Sequence, residues 1–267
     1  MITALDTAPF IAAALGVGGI GVWISQRREL ILRWCTWAVA APVVGGLLWL
    51  EAPGAAVLAA GLGIACAVEY GRLTQLPSLD QAILALLVAA LPFAAWLAPS
   101  RLLYLTIAAL LALALVPLLD HDTTDGLRRL AYGTLGLLWL ATLSGLVLLG
   151  PAAFVLVLAV SLADVAAYCG GRLVKGPYLS PLSPAKRWSG LLIGGAAGVG
   201  LLWLFGALSP ALAIAVFVGA PIGDLLESMV KRGANVKDAG SWLPGFGGML
   251  DRVDSLLIAL AVAVVLS

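Results

Sequence analysis

Charge is what this sequence has least of. Only 11% of its 267 residues are Asp, Glu, Lys or Arg, against about 25% in an ordinary soluble domain, and 62% are hydrophobic. So little polar surface excludes a water-soluble fold. Histidine occurs once, and Cys35, Cys66 and Cys169 stand far apart without a C-x-x-C, so neither a zinc site nor a disulfide framework is expected. The alternation of barrel strands is missing too: "LALALVPLL" and "LLIALAVAVVL" are apolar on every face. No basic region precedes the first apolar run, which reads as a membrane span and not a cleaved signal peptide. The net charge of +1 says little about partners, and no nucleic-acid partner is expected.

What is present is a succession of apolar runs of membrane-spanning length. Ten can be drawn, at 9–25, 35–51, 53–71, 80–98, 102–119, 133–149, 151–169, 189–207, 210–230 and 253–266. The expected fold is all-α, a polytopic transmembrane helical bundle of nine or ten spans. Alternate connections, 26–34, 72–79, 120–132, 170–188 and 231–252, hold 14 of the 15 Lys and Arg residues and leave only Arg101 opposite. The positive-inside rule makes that side cytoplasmic, with both termini facing away from it. No internal repeat or linker divides the chain. It reads as one domain, 1–267, with scaffold spans in 1–150 and the chemistry in 151–267.

Two motifs mislead. Gly16, Gly18 and Gly21 in "GVGGIG" have dinucleotide-turn spacing but no preceding strand. Inside an apolar helix they read as close helix packing, as do Gly194 and Gly198. "DHDTTDGLRRLAYG" places Asp122, Asp125, Gly126 and Arg129 like the first half of a CDP-alcohol phosphotransferase motif. The second aspartate pair is absent, so this reads as a solvated loop with His121, in which Arg128 and Arg129 set topology.

Three clusters need more than topology, because a charge at the membrane edge costs about 2.5 kcal/mol or more. In "GDLLESMVKR", Asp224 and Ser228 share a helical face beside Glu227 and Lys231; an interfacial salt-bridge network would also account for it. In "LPGFGGMLDRVDS", Pro244, Gly245, Gly247 and Gly248 form a turn before Asp251 and Asp254. Paired carboxylates at i and i+3 suit Mg²⁺, and glycine N–H groups at a helix N-terminus suit a phosphate; capping explains Asp251 alone. In "ADVAAYCGGRLVKGPYLSPLSPAKRWSG", Asp164 lies inside an apolar run. It precedes Arg172, Lys175, Lys186 and Arg187, where Ser183 and Lys186 either grip a phosphate or only mark the basic side. Acids, bases and glycines gathered at one face suit metal-assisted phosphoryl or nucleotidyl transfer.

The spacing S-x-x-K-R-x4-K-D-x-G-x3-P-G-x-G-G-x-x-D-R-x-D is met by Ser228, Lys231, Arg232, Lys237, Asp238, Gly240, Pro244, Gly245, Gly247, Gly248, Asp251, Arg252 and Asp254. It resembles the signature of the phosphatidate cytidylyltransferases, or CDP-diacylglycerol synthases. Asp164, Ala167, Tyr168, Gly171 and Arg172, then Ser183, Pro184, Lys186, Trp188 and Gly190, are similar to that family's upstream motif. The resemblance covers about 160–256. It departs at Phe246, where the signature has histidine, and at Arg187, where it has threonine.

The resemblance implies transfer of CMP from CTP to phosphatidic acid, dependent on Mg²⁺, by a protein of the bacterial inner membrane that is a homodimer among membrane lipids. It implies metal ligation by Asp224, Asp251 and Asp254, and catalytic roles for Asp224, Asp251, Lys231, Arg232, Lys237 and Asp238. Substrate contacts fall to Asp164, Tyr168, Arg172, Ser183, Lys186, Ser228, Gly245, Gly247, Gly248 and Arg252. The alternatives are a cytidylyltransferase or CTP-dependent kinase acting on another lipid-linked acceptor, and a membrane transporter with intramembrane acids such as Asp164 and Glu69. The topology has a direct test. Cysteines placed singly at Arg128, Lys186 and Lys237 in a cysteine-free chain should resist an impermeant thiol reagent applied to intact cells; rapid labelling at 237 rejects it.

Overall fold

The computed structural model describes residues 16, 19–24, 28–236, 239–240 and 247–267. Nine helices follow one another among the described residues: α1 (Arg28–Trp49), α2 (Glu51–Leu73), α3 (Ser78–Leu97), α4 (Leu102–Leu119), α5 (Gly126–Leu148), α6 (Pro151–Val174), α7 (Trp188–Leu204), α8 (Pro210–Gly233) and α9 (Leu250–Leu266). A hairpin of β1 (Tyr178–Ser180) and β2 (Ser183–Arg187) joins α6 to α7. The chain is an integral membrane protein: seven of the nine are long and apolar enough to cross a bilayer. The other two, α7 and α9, have 17 residues each, or about 25 Å. The expected first span, 9–25, lies mostly outside the described residues.

Proline and serine set several helix starts. Pro151 and Pro210 open α6 and α8, where a missing N–H is harmless. Ser209 caps α8, its Oγ accepting from Leu212 N at 3.2 Å. Within α8 a single π-turn, Ala215–Gly219, precedes Pro221. Proline inside a helix removes one N–H and crowds the carbonyl four residues back, and a widened turn there accommodates both.

The core lies where α2, α3, α5, α6 and α9 meet. Tyr70 of α2 is fully buried, stands edge-on to Trp139 at 6.2 Å, and donates its hydroxyl to Tyr132 O at 2.8 Å. The α6–α7 pair is held by small residues: a Cβ on Gly194 would lie 2.5 Å from Ala163 O, and one on Gly198 2.9 Å from Ala159 O. The packing role expected of these two glycines is met. At Gly16 and Gly21 an added Cβ meets nothing within 4 Å among the described residues; Gly18 lies outside them.

Polar connections gather at one end of the bundle. Arg128 Nη1 donates to Thr74 O at 3.4 Å, tying the α4–α5 side to the α2–α3 turn. The expected solvated loop is corrected here: α5 begins at Gly126, so both arginines are helical, and Arg129 is buried. Its Nε and Nη2 reach both oxygens of Asp80 at 2.7 Å, Nη2 also reaches Asp120 at 2.7 Å, and Nη1 reaches Asp122 at 3.0 Å. One planar guanidinium thus pins α3, the end of α4 and the start of α5. Asp122 also accepts from the N–H groups of Asp125 and Thr124. The Asp125 N–H, and then Arg129, hold its carboxyl down to about 2, so the tie it makes is complete above the ordinary carboxylate range and fades as pH falls towards 2.

Replacing Arg129 strands three carboxylates. Arg129→Leu should cost about 3–5 kcal/mol, whereas Arg128→Leu, at a half-exposed ion pair with Asp125, should cost under about 1 kcal/mol. Thermal unfolding in detergent micelles compares them; equal losses reject the hub.

Candidate active site

The site is built from α8, α9 and the hairpin. Asp224, Glu227, Ser228 and Lys231 follow one another at helical spacing on α8. Close approach of α9 is what turns that face into a site: a Cβ on Gly223 would fall 2.2 Å from Asp254 O and 3.1 Å from Ser255 Cα. Only glycine at 223 lets the two backbones touch there.

Contact at Gly223 crowds three carboxylates. One oxygen each of Asp224, Glu227 and Asp254 lie within 4.8 Å of one another. Glu227 and Asp254 are buried. Glu227 Oε2 accepts from Lys231 Nζ at 2.5 Å, but Glu227 Oε1 is buried with no hydrogen-bond partner among the described residues. The fully desolvated oxygen faces a cost of about 1–3 kcal/mol or more if nothing satisfies it. A hard-oxygen donor set with one unsatisfied lone pair fits a divalent cation such as Mg²⁺.

Asp251, an expected metal ligand, is held by Lys231 and by two backbone N–H groups. Its Oδ1 accepts from Lys231 Nζ at 2.8 Å, and its Oδ2 from Ala239 N at 3.1 Å and Gly248 N at 2.9 Å. Asp251 therefore sits outside the carboxylate trio, and Glu227, which the sequence offered only as part of a salt bridge, sits inside it. Lys231 joins the two groups.

Lys186 arrives from β2 and pairs with Asp224. Burial pushes its ammonium below the usual lysine range, against the pull of Asp254, Asp164 and Glu227. Asp164, on α6, accepts from Ser255 Oγ at 3.3 Å, and Arg252 lies near enough to Asp164 to act on it electrostatically. Ser228 is buried on α8 beside Glu227, Ser183 half-buried at the start of β2, and Arg232 and Arg252 exposed.

Other expected residues stand apart. Arg172 stacks on the Tyr168 ring at 4.3 Å on the exposed side of α6, and Arg187 stacks on Tyr178 at 4.8 Å. Lys237, Asp238, Pro244, Gly245 and Phe246 lie outside the described residues. Gly247 has φ +84°, a left-handed conformation that favours glycine.

Of the phosphate cradle expected at the start of α9, Gly247 and Gly248 are described and Gly245 is not. Gly248 N–H serves Asp251, while Met249 N and Leu250 N donate to Glu69 at 2.9 and 2.8 Å. Protein carboxylates already take these N–H groups, so an incoming phosphate has the lysines and arginines to meet it. Glu69 was legible only as an acid in an apolar run.

The family model described as "Cytidylyltransferase family" matches residues 31–267. A phosphatidate cytidylyltransferase of Brucella suis is 47% identical over 107 residues, 37% of this chain and 40% of that protein. Its namesake in Pseudomonas aeruginosa is 40% identical over 161 residues, 51% of this chain and 55% of that protein. One in Helicobacter pylori is 41% identical over 117 residues, 40% of this chain and 44% of that protein. The chain thus spans about half the length, or less, of these relatives.

Close approach at Gly223 can be tested without any substrate. Gly223→Ala should destabilise by about 1–3 kcal/mol through overpacking, while Gly233→Ala, where an added Cβ meets nothing within 4 Å, should be neutral or stabilising. Unfolding midpoints in detergent decide; a neutral Gly223→Ala rejects the contact.

Proposed function

Because the chain belongs to the cytidylyltransferase family, we propose that it transfers the cytidylyl group of CTP to phosphatidic acid, giving CDP-diacylglycerol and pyrophosphate. A phosphate oxygen of the lipid attacks the α-phosphorus of CTP; the new O–P bond forms as the bond from that phosphorus to the bridging oxygen breaks, and pyrophosphate leaves. The observation that carries this reading is the carboxylate trio with its unsatisfied Glu227 oxygen, set beside Lys186 and Lys231.

Asp224, Glu227 and Asp254 would hold Mg²⁺, which supplies charge neutralisation at the reacting phosphates. Lys186 and Lys231 meet phosphate oxygens, Arg232 and Arg252 extend the positive rim for the leaving pyrophosphate, and the motif's spacing adds Lys237 to the cations that serve it. Asp251 holds Lys231 in place. We assign the polar end to the cytoplasmic face of a bacterial inner membrane, where CTP is dissolved and the lipid phosphate enters from the leaflet. A homodimer is the working assembly. A transporter would need polar groups through the bilayer depth, whereas the ionic clusters described above collect at one end.

Purified protein given labelled CTP, phosphatidic acid and Mg²⁺ should make CDP-diacylglycerol, lose activity with a chelator and regain it with Mg²⁺. Glu227→Gln, Asp224→Asn and Asp254→Asn should each lower turnover by at least about a hundredfold, roughly 2.7 kcal/mol. Full turnover by Glu227→Gln sinks the metal assignment. Phe246→His should change the rate less than about tenfold, or 1.4 kcal/mol; a silent native protein revived by Phe246→His defeats the activity. Parallel assays with a polyprenyl phosphate and an ether-lipid phosphate separate phosphatidic acid from the other acceptors that the Phe246 departure leaves open.

A further inference from the structure

Glu69 is buried near the polar end of α2, 1% exposed, and 180 residues from the atoms it holds. Both its oxygens are used. Oε1 accepts from Met249 N at 2.9 Å and Oε2 from Leu250 N at 2.8 Å, the N–H groups that open α9. A helix leaves its first N–H groups without internal partners and carries partial positive charge there. A carboxylate that takes two of them at once fixes both the position and the direction of that end.

A second, independent observation comes from the glycines. The three atoms nearest a Cβ on Gly240 would all belong to Glu69, Oε1 at 2.5 Å, Cδ at 2.9 Å and Cγ at 3.2 Å; a Cβ on Gly248 would lie 2.7 Å from Oε2. These two glycines of the motif thus make room for a carboxylate from the other half of the chain. Glu69 itself is held rigidly, since its neighbour Tyr70 is buried and hydrogen-bonded to α5.

We infer that Glu69 is a positioning residue for the reaction: it clamps the start of α9 at Met249 and Leu250, beside Gly240, and so aims Asp251 and Asp254, one and four residues beyond the clamped N–H of Leu250. The inference rests on the proposed function for its catalytic consequence and on geometry alone for the clamp. Glu69→Gln keeps size and shape but turns an amide NH₂ toward a backbone N–H, so one of the two hydrogen bonds is lost.

Hydrogen exchange of the detergent-solubilised protein, read by mass spectrometry, reports the clamp directly. Glu69→Gln should speed exchange in peptides covering 247–254 and leave the 178–187 hairpin unchanged. Turnover should fall about 10- to 100-fold, the range for groups that orient metal ligands from behind, with KM for CTP within about threefold because CTP is not touched. Gly240→Ala should speed the same exchange in the native background and add little to Glu69→Ala.

Unchanged exchange at 247–254, or an equal rise in the hairpin, overturns the clamp. Faster exchange with full turnover overturns the positioning role. Additive effects of Gly240→Ala and Glu69→Ala overturn the direct contact. If the native protein makes no CDP-diacylglycerol, the proposed function fails, and the exchange result alone decides whether Glu69 holds the turn.

Discussion

Like charges crowded where water is scarce are the constraint on which this structure turns. At 4.8 Å two ionised carboxylates repel by about 3 kcal/mol at an effective dielectric constant near 20, and Asp224, Glu227 and Asp254 make three such pairs. Lys186 and Lys231 relieve part of this. They do so from the edges, one at Asp224 and one between Glu227 and Asp251, and the inner oxygen of Glu227 receives nothing from the described residues. The backbone contact at Gly223 forces the crowding, so the fold itself creates a demand for further positive charge, met by a proton or by a cation.

The polar end holds two acid-rich clusters, and their difference separates support from chemistry. Around Arg129, the guanidinium reaches Asp80, Asp120 and Asp122 within one planar fork. That cluster is satisfied and locks three helices. Around Glu227 the acids outnumber the lysines that reach them, and an oxygen is left over. Both clusters set buried acids beside basic side chains. What distinguishes them is whether every lone pair has found a donor, which is a property of three-dimensional arrangement and not of residue type.

That distinction also marks how far the sequence could be read. Apolar run length and the 14-to-1 distribution of basic residues revealed the helical bundle and its polar end, because spanning a bilayer is a local demand on a segment. Spacing placed Asp224 and Ser228 on one helical face, beside Glu227 and Lys231, for the same reason. It could not say which face of α9 would meet α8, so Asp251 was expected among the metal ligands and Glu227 was left in a salt bridge. Arg129 read as loop because its run of polar neighbours hid a helix start at Gly126. The glycines of the motif read as a phosphate cradle because Glu69, the group they accommodate, is contributed by a helix far away in the chain. The 17-residue lengths of α7 and α9 fall short of the roughly 20 residues of an ordinary span, which makes their number of crossings the least legible part of the topology.

The separation of 180 residues between Glu69 and the backbone it holds also sets an order of events. A ribosome adds about 5–20 residues each second, so α2 waits roughly 10–40 s for its partner to be made. Until then Glu69 lacks α9 as its hydrogen-bonding partner, and the carboxylate trio lacks Asp254. A nascent chain stalled just before that helix carries most of its membrane spans and an incomplete carboxylate trio. Catalytic competence in this protein is therefore dated by translation, arriving with the last helix described here and not with the bulk of the fold.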